Sequence, residues 1–187
     1  MSKRWRSTAA LALALLVPGG GCRKAEKPPD IAELIADLRG PDAEKSGRAN
    51  LKLIEMRGPA APALAALLRE GDARERRIAA STLWGLGPHA RAAVPELTAA
   101  VADQELDVRM GAAMALEAIG PEAAPAVPAL IRALKDRDAL VRQCAAKALG
   151  RIGPAAAAAV PALNDAAKLP SVRSDAEQAV RRIQGRE

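Results

Sequence analysis

From about residue 30 onward, apolar residues recur three and four positions apart, the spacing that lays one face of an α-helix against a core. Residues 127–153 show the pattern most clearly. Leu130, Ile131 and Leu134 make one short stripe, and Val141, Ala145, Ala148, Leu149 and Ile152 make a second. Asp136 to Asp138 interrupt the run, and Asp138 is placed to cap the helix that follows. Pro128 suits an early helix position, where its missing N–H costs nothing. Gly153 stops the second helix and Pro154 follows at once. The segment therefore reads as a hairpin of two helices.

This hairpin is repeated. Pro62, Pro95, Pro128 and Pro161 are 33 residues apart, and each is followed two residues later by a leucine: Leu64, Leu97, Leu130 and Leu163. The pairs Gly87-Pro88, Gly120-Pro121 and Gly153-Pro154 keep the same period, whereas Gly58-Pro59 comes four residues late and predicts a shorter first linker. Second-helix stripes recur as Ile78, Ala79, Leu83 and Leu86, and as Val108, Ala112, Ala115, Leu116 and Ile119. A divergent unit precedes them, with Ile31, Leu34, Ile35 and Leu38 in its first helix. Its second helix opens at Asp42 and carries Leu51, Leu53, Ile54 and Met56 as its apolar positions. A last unit carries Leu163, then Val172, Ala176, Ala179, Val180 and Ile183, with a turn expected to be two residues shorter. Five helical pairs over 30–187 are the expectation. Divergent end units suit a stack whose terminal faces meet water.

Composition agrees with this reading. Half the residues are hydrophobic, yet Phe and Tyr are absent and Trp occurs twice. Alanine supplies about a quarter of the chain, which favours closely packed helices because Ala loses no side-chain entropy in them. Runs rich in β-branched and aromatic residues, the mark of strands, are missing.

The first 21 residues read as an address. Lys3, Arg4 and Arg6 precede the ten-residue apolar run 8–17, and Pro18 and three glycines lead to Cys22. That order is the pattern of a secretory signal, and the run is too short to span a bilayer. Gly19, Gly20 and Gly21 before Cys22 resemble a bacterial lipobox, although Gly19 stands where a bulky aliphatic residue is usual. The resemblance implies cleavage before Cys22 and lipidation of its thiol, with 22–29 as attachment site and tether. It places the mature chain in the bacterial cell envelope, with a lean toward the outer membrane facing the periplasm; the fallback is a secreted or periplasmic protein. Without residues 1–21 the chain has 25 basic and 22 acidic residues, a net charge of +3, ordinary for a soluble domain.

The succession Gly-Pro, alanine-rich stretch, Val-Pro-Ala-Leu, acidic turn, Val-Arg, Ala-Ala-x-Ala-Leu-Gly-x-Ile-Gly is best preserved over 120–153. It resembles bacterial HEAT repeats, closest to the subtype named after phycobilisome lyases. The resemblance covers about 155 residues. It implies an all-α fold, a right-handed α–α superhelix whose second helices line a concave, protein-binding surface.

Candidate chemistry is sparse. His89 is the only histidine, so neither a His-based metal cluster nor a Ser/His triad can be assembled, and it follows a helix-ending Gly-Pro as a linker residue would. Cys144 falls in a helical apolar column with Ile78 and Gly111, where a small core residue is expected. An acid-turn-arginine feature recurs as Asp72 with Arg76, Glu105 with Arg109, and Asp138 with Arg142. It reads as helix capping plus an ion-pair ladder between units; the alternative is an arginine row that reads an acidic partner. Trp84 lies opposite the apolar stripe of its helix and shares a column with Glu117 and Gly150. Either it and the row Arg77, Met110, Met114 and Gln143 form a binding face, since aromatic and Arg residues dominate interface energetics, or Trp84 covers a gap left by the short linker at Gly58.

The expectation is a lipid-anchored scaffold, monomeric, binding an unidentified protein, with no catalytic residue, metal or cofactor. Two alternatives are a subunit of a bilin-lyase-like enzyme, supported by fold analogy alone, and a basic nucleic-acid-binding HEAT-like protein. Low mature charge and the lack of Phe and Tyr stacking platforms argue against nucleic acid.

Overall fold

The computed structural model describes residues 30–186. The signal segment 1–21, Cys22 and the tether through residue 29 lie outside the described residues, as does Glu187. Among the described residues ten α-helices follow one another in antiparallel pairs: α1 Ile31–Arg39, α2 Ala43–Met56, α3 Ala61–Glu70, α4 Ala73–Leu86, α5 Val94–Ala100, α6 Leu106–Ile119, α7 Val127–Ala133, α8 Ala139–Ile152, α9 Val160–Ala166 and α10 Arg173–Ile183. No strand occurs among the described residues. The fold is an all-α superhelical stack of repeats.

Local chemistry accounts for the boundaries. Asp42, Asp72 and Asp138 accept backbone N–H bonds at the starts of α2, α4 and α8, and Asp72 with Glu75 closes a capping box. Glu105 stands at the corresponding position of α6 but makes no side-chain cap; the Asp103 carboxylate takes the Glu105 N–H instead, at 2.9 Å. Gly87, Gly120 and Gly153 end α4, α6 and α8 with φ of 56°, 74° and 72° and ψ near −130 to −143°. An L side chain is strained in that conformation. Each glycine opens a seven-residue 3₁₀ linker: Gly87–Ala93, Gly120–Ala126 and Gly153–Ala159. The first linker, Gly58–Ala60, has three residues, which accounts for the late Gly-Pro pair. There Arg57, not a glycine, takes φ 59° and ψ −130°.

One continuous core runs the length of the stack. It is built from Leu53, Leu64, Leu83, Leu97, Leu116, Leu130, Leu149 and Leu163, with alanines between them. Neighbouring second helices approach closely because small residues face each other. A Cβ on Gly111 would come within 3.1 Å of Ala80 Cβ, and one on Gly150 within 3.0 Å of Ala179 Cα. Consecutive second helices α4, α6, α8 and α10 pack more intimately than the first helices α3, α5 and α7. The second helices therefore form the tighter-packed, inner layer of the stack.

Two details depart from the sequence reading. Leu51, expected on the apolar face of α2, is 63% exposed, while Ala49 and Leu53 fill the core. It stands two residues from each of them, about 200° around the helix, and so on the opposite face. The two-residue shortening of the last unit is not taken from its turn. The connection 167–172 is longer than 134–138, and α10 loses its first turn, with 11 residues against 14 in α8. Val172 thus sits at the N-cap position, where it has no oxygen to cap with, and stays buried at 1% exposure.

Candidate functional site

Each second helix turns one stripe away from the core. In α4 the stripe is Arg74, Arg77, Ser81 and Trp84, all exposed, on the side opposite Ala79, Leu83 and Leu86. The 33-residue period carries it to Asp107, Met110, Met114 and Glu117 on α6, and to Leu140, Gln143 and Lys147 on α8. On α2, helix ends aligned, it is continued by Gly47 and Leu51. The result is an inner surface with unusually large apolar groups in the open: Leu51, Leu140 at 51% exposure and Trp84 at 49%. Met110 and Met114 are half-buried beside them. A thioether on an inner face adapts its shape to what it touches.

The polar members of the row are partly engaged within the chain. Arg77 reaches the Asp107 carboxylate at 3.6 Å, both side chains exposed, and the Gln143 amide donates to the Ser171 carbonyl. The first bridges adjacent second helices, and the second ties α8 to the turn before α10. Trp84 does not line the depression next to the short first linker; that depression is bounded by Gly58, Pro88, His89, Arg91, Ile119, Pro121 and Glu122. Leu51 and Leu140 were not singled out from the sequence as surface residues. The signal that finds them is their place in the column of Ser81 and Arg74, once the helix ends are aligned.

A second constellation lies along the turn edge. Arg76 Nε and Nη2 donate to both oxygens of Asp103, at 2.8 and 3.0 Å. Arg109 does the same to Asp136, at 2.9 and 3.4 Å, and its side chain is 6% exposed. Each arginine thus grips the carboxylate of the next unit's turn and not the cap acid of its own. Arg142 donates from Nη2 to Ser171 Oγ at 3.2 Å. Burial pushes the Asp103 carboxyl up. The hydrogen bonds from Arg76 and the Glu105 amide, with the Arg76 and Arg109 charges, outweigh it and hold the group below the usual carboxylate range.

The remaining candidates sit apart. His89 is exposed in the second linker. Cys144 is half-buried against the core, and burial, only partly offset by Lys147, pushes its thiol up, away from the thiolate that nucleophilic chemistry needs. Among the described residues no group of three His, Cys, Asp or Glu is placed to hold a metal ion, and no helix is long and apolar enough to cross a membrane.

Comparison with known proteins agrees with the geometry. Residues 60–127 match the HEAT repeats model and residues 106–152 the HEAT-like repeat model, so the chain contains HEAT-like repeats. A comparison with curated protein sequences finds no match. Among solved structures, the complex of CpcE and CpcF of phycocyanin lyase from Nostoc sp. PCC7120 is similar, with a TM-score of 0.65 and 19% identity over 80% of this chain and 96% of that one. A designed armadillo repeat protein in complex with the peptide (KR)4 gives a TM-score of 0.64 and 16% identity, over 82% of this chain and 81% of that one. An engineered protein gives a TM-score of 0.58 and 24% identity, over 83% of this chain and 79% of that one. At these identities the likeness is one of fold.

Proposed function

We propose that this HEAT-like solenoid is an adaptor of the bacterial cell envelope, tethered through Cys22, that binds another protein along the inner stripe of its second helices. The observation that carries the reading is the exposure of Trp84, Leu51 and Leu140 on one continuous face. Exposed large apolar groups cost solvation unless a partner covers them, and a Trp beside adaptable Met side chains is the composition of an interface centre. Tethering rests on the sequence 1–22 alone.

A photo-crosslinking amino acid at Met114, compared with the same group at Ala157 in the fourth linker, tests the binding face in native membranes. A discrete partner band from Met114 alone supports it; bands of equal strength from both positions count against it. Palmitate labelling that survives Cys22→Ser would remove the anchor from the proposal.

A role as subunit of a lyase is the second reading, favoured by the fold shared with CpcE and CpcF. Pigment attachment that depends on this chain in a co-expression assay would replace the adaptor reading.

A further inference from the structure

The arginine ladder is completed by carboxylates at two of its three rungs. Arg76 donates from Nη1 to the Gly71 carbonyl at 3.1 Å, and Arg109 from Nη1 to the Asp103 and Gln104 carbonyls at 2.9 Å. Both aim the Nε–Nη2 edge at an aspartate of the next turn. Arg142 makes the same inward contacts, from Nη1 to the carbonyls of Asp136 and Arg137 at 2.8 and 3.2 Å. Its Nε–Nη2 edge meets no carboxylate. Nη2 has the Ser171 hydroxyl, and Nε is buried with no hydrogen-bond partner. No other buried side-chain nitrogen or oxygen among the described residues is left in that state. A desolvated guanidinium N–H without an acceptor costs free energy that a charged acceptor returns.

The surroundings are basic. Arg132, Lys135, Arg137, Lys168 and Arg173 are exposed on the turns and helix ends around this rung. Its acids are already engaged: Asp136 holds Arg109, Asp138 accepts the Leu140 N–H at 2.8 Å, and Asp165 pairs with Lys168 at 2.7 Å. The turn in front of the Arg142 fork, Leu169 to Ser171, is exposed. A ligand therefore reaches the fork by displacing one serine hydroxyl.

We propose that this turn edge binds an acidic segment of a partner polypeptide, one carboxylate of which seats on the Nε–Nη2 edge of Arg142 in place of the Ser171 hydroxyl. The two completed rungs show what the fork accepts in this chain, a planar carboxylate gripped at both oxygens. The same fork also fits the two free oxygens of a phosphodiester, so lipid and nucleic-acid phosphates are set against the peptide in the test. The inference rests on the adaptor reading in taking the ligand to be a polypeptide, but it uses a different surface, the turn edge and not the inner stripe.

The test is fluorescence anisotropy of a labelled hexaglutamate peptide titrated with the full-length chain in mild detergent. Saturable binding is expected, weakened roughly tenfold or more by Arg142→Lys, which keeps the charge and loses the fork. Ser171→Asp, which supplies a carboxylate from within the chain, should weaken binding as much and raise Tm. Arg151→Gln, outside this edge, should bind like the unaltered chain. Peptide binding that is undiminished in Ser171→Asp overturns the proposal. So does an equal dependence on Arg142 when phosphatidylglycerol vesicles or an oligothymidylate replace the peptide. Failure here with the Met114 crosslink intact removes this site and leaves the adaptor reading standing; loss of that crosslink as well removes both.

Discussion

Arg109 and Asp136 are 27 residues apart in sequence, yet the Arg109 Nε donates to Asp136 Oδ2 across 2.9 Å. The arginine belongs to one repeat and the aspartate to the turn of the next. The pair fastens the edge of the stack where the apolar core ends, and it is buried, with side-chain exposures of 6% and 14%. Breaking a buried pair strands a charge, which costs about 3 kcal/mol. Asp136→Ala should therefore lower the unfolding free energy by roughly that amount. Asp107→Ala, which removes an exposed partner of Arg77, should change it by no more than about 0.5 kcal/mol. Urea denaturation followed by circular dichroism checks both.

The first rung makes the fold sensitive to acid. The Asp103 carboxyl titrates below its ordinary value when folded. A group depressed in this way stabilises the fold above its unfolded pKa, about 3.9, and that contribution fades as pH falls through the folded value. Asp103→Asn should lower Tm at neutral pH. Below about pH 4 the variant and the unaltered chain should converge. Thermal melts across that range supply the measurement, and a constant gap at every pH would contradict it.

Arg57 occupies a backbone conformation that the other three repeat boundaries give to glycine. Holding an L residue there costs on the order of 1–3 kcal/mol. Arg57→Gly should thus stabilise the chain by about 1 kcal/mol, after the greater unfolded-state freedom of glycine is offset. The reverse change at a matched site, Gly87→Ala, should destabilise it although a Cβ there would touch nothing within 4 Å. If both variants melt with the parent, backbone strain at these boundaries is negligible.

Leu51 and Leu53 separate folding from binding. Leu53 is fully buried and Leu51 is 63% exposed. Leu53→Ala should cost about 3 kcal/mol of stability, and Leu51→Ala less than about 0.5 kcal/mol. On the adaptor reading, Leu51→Ala and Trp84→Ala weaken the Met114 crosslink while leaving Tm in place. Trp84 is the only tryptophan beyond Trp5, so a blue shift of its emission when partner is added offers a direct second readout.

Much of the architecture was legible because each repeat states it again. Four prolines and four leucines in a period of 33 mark the first helices, and the glycines that end the second helices mark the linkers. The phase of α2 was less legible: Leu51, Leu53 and Ile54 are all apolar, and hydropathy alone cannot say which of them turns inward. The ladder's partners were hidden for another reason. Asp103 and Glu105 lie in the same turn, and the choice between them depends on how far one unit rotates on the next, a property of packing. The last unit misled because two residues missing between Leu163 and Val172 can be lost from either turn or helix. Helix α10, starting without a side-chain cap, gave them up.

The account depends on the 33-residue period being a structural unit that leans on its neighbours. Deleting residues 106–138 removes one whole period and brings Glu105 to Ala139 in register, with α8 stacked on α4. The far-ultraviolet circular dichroism of this variant should keep the helical signal per residue of the parent and melt in a single transition at lower temperature. A variant that is unfolded in buffer, while deletion of 106–126 out of register is not, would contradict it.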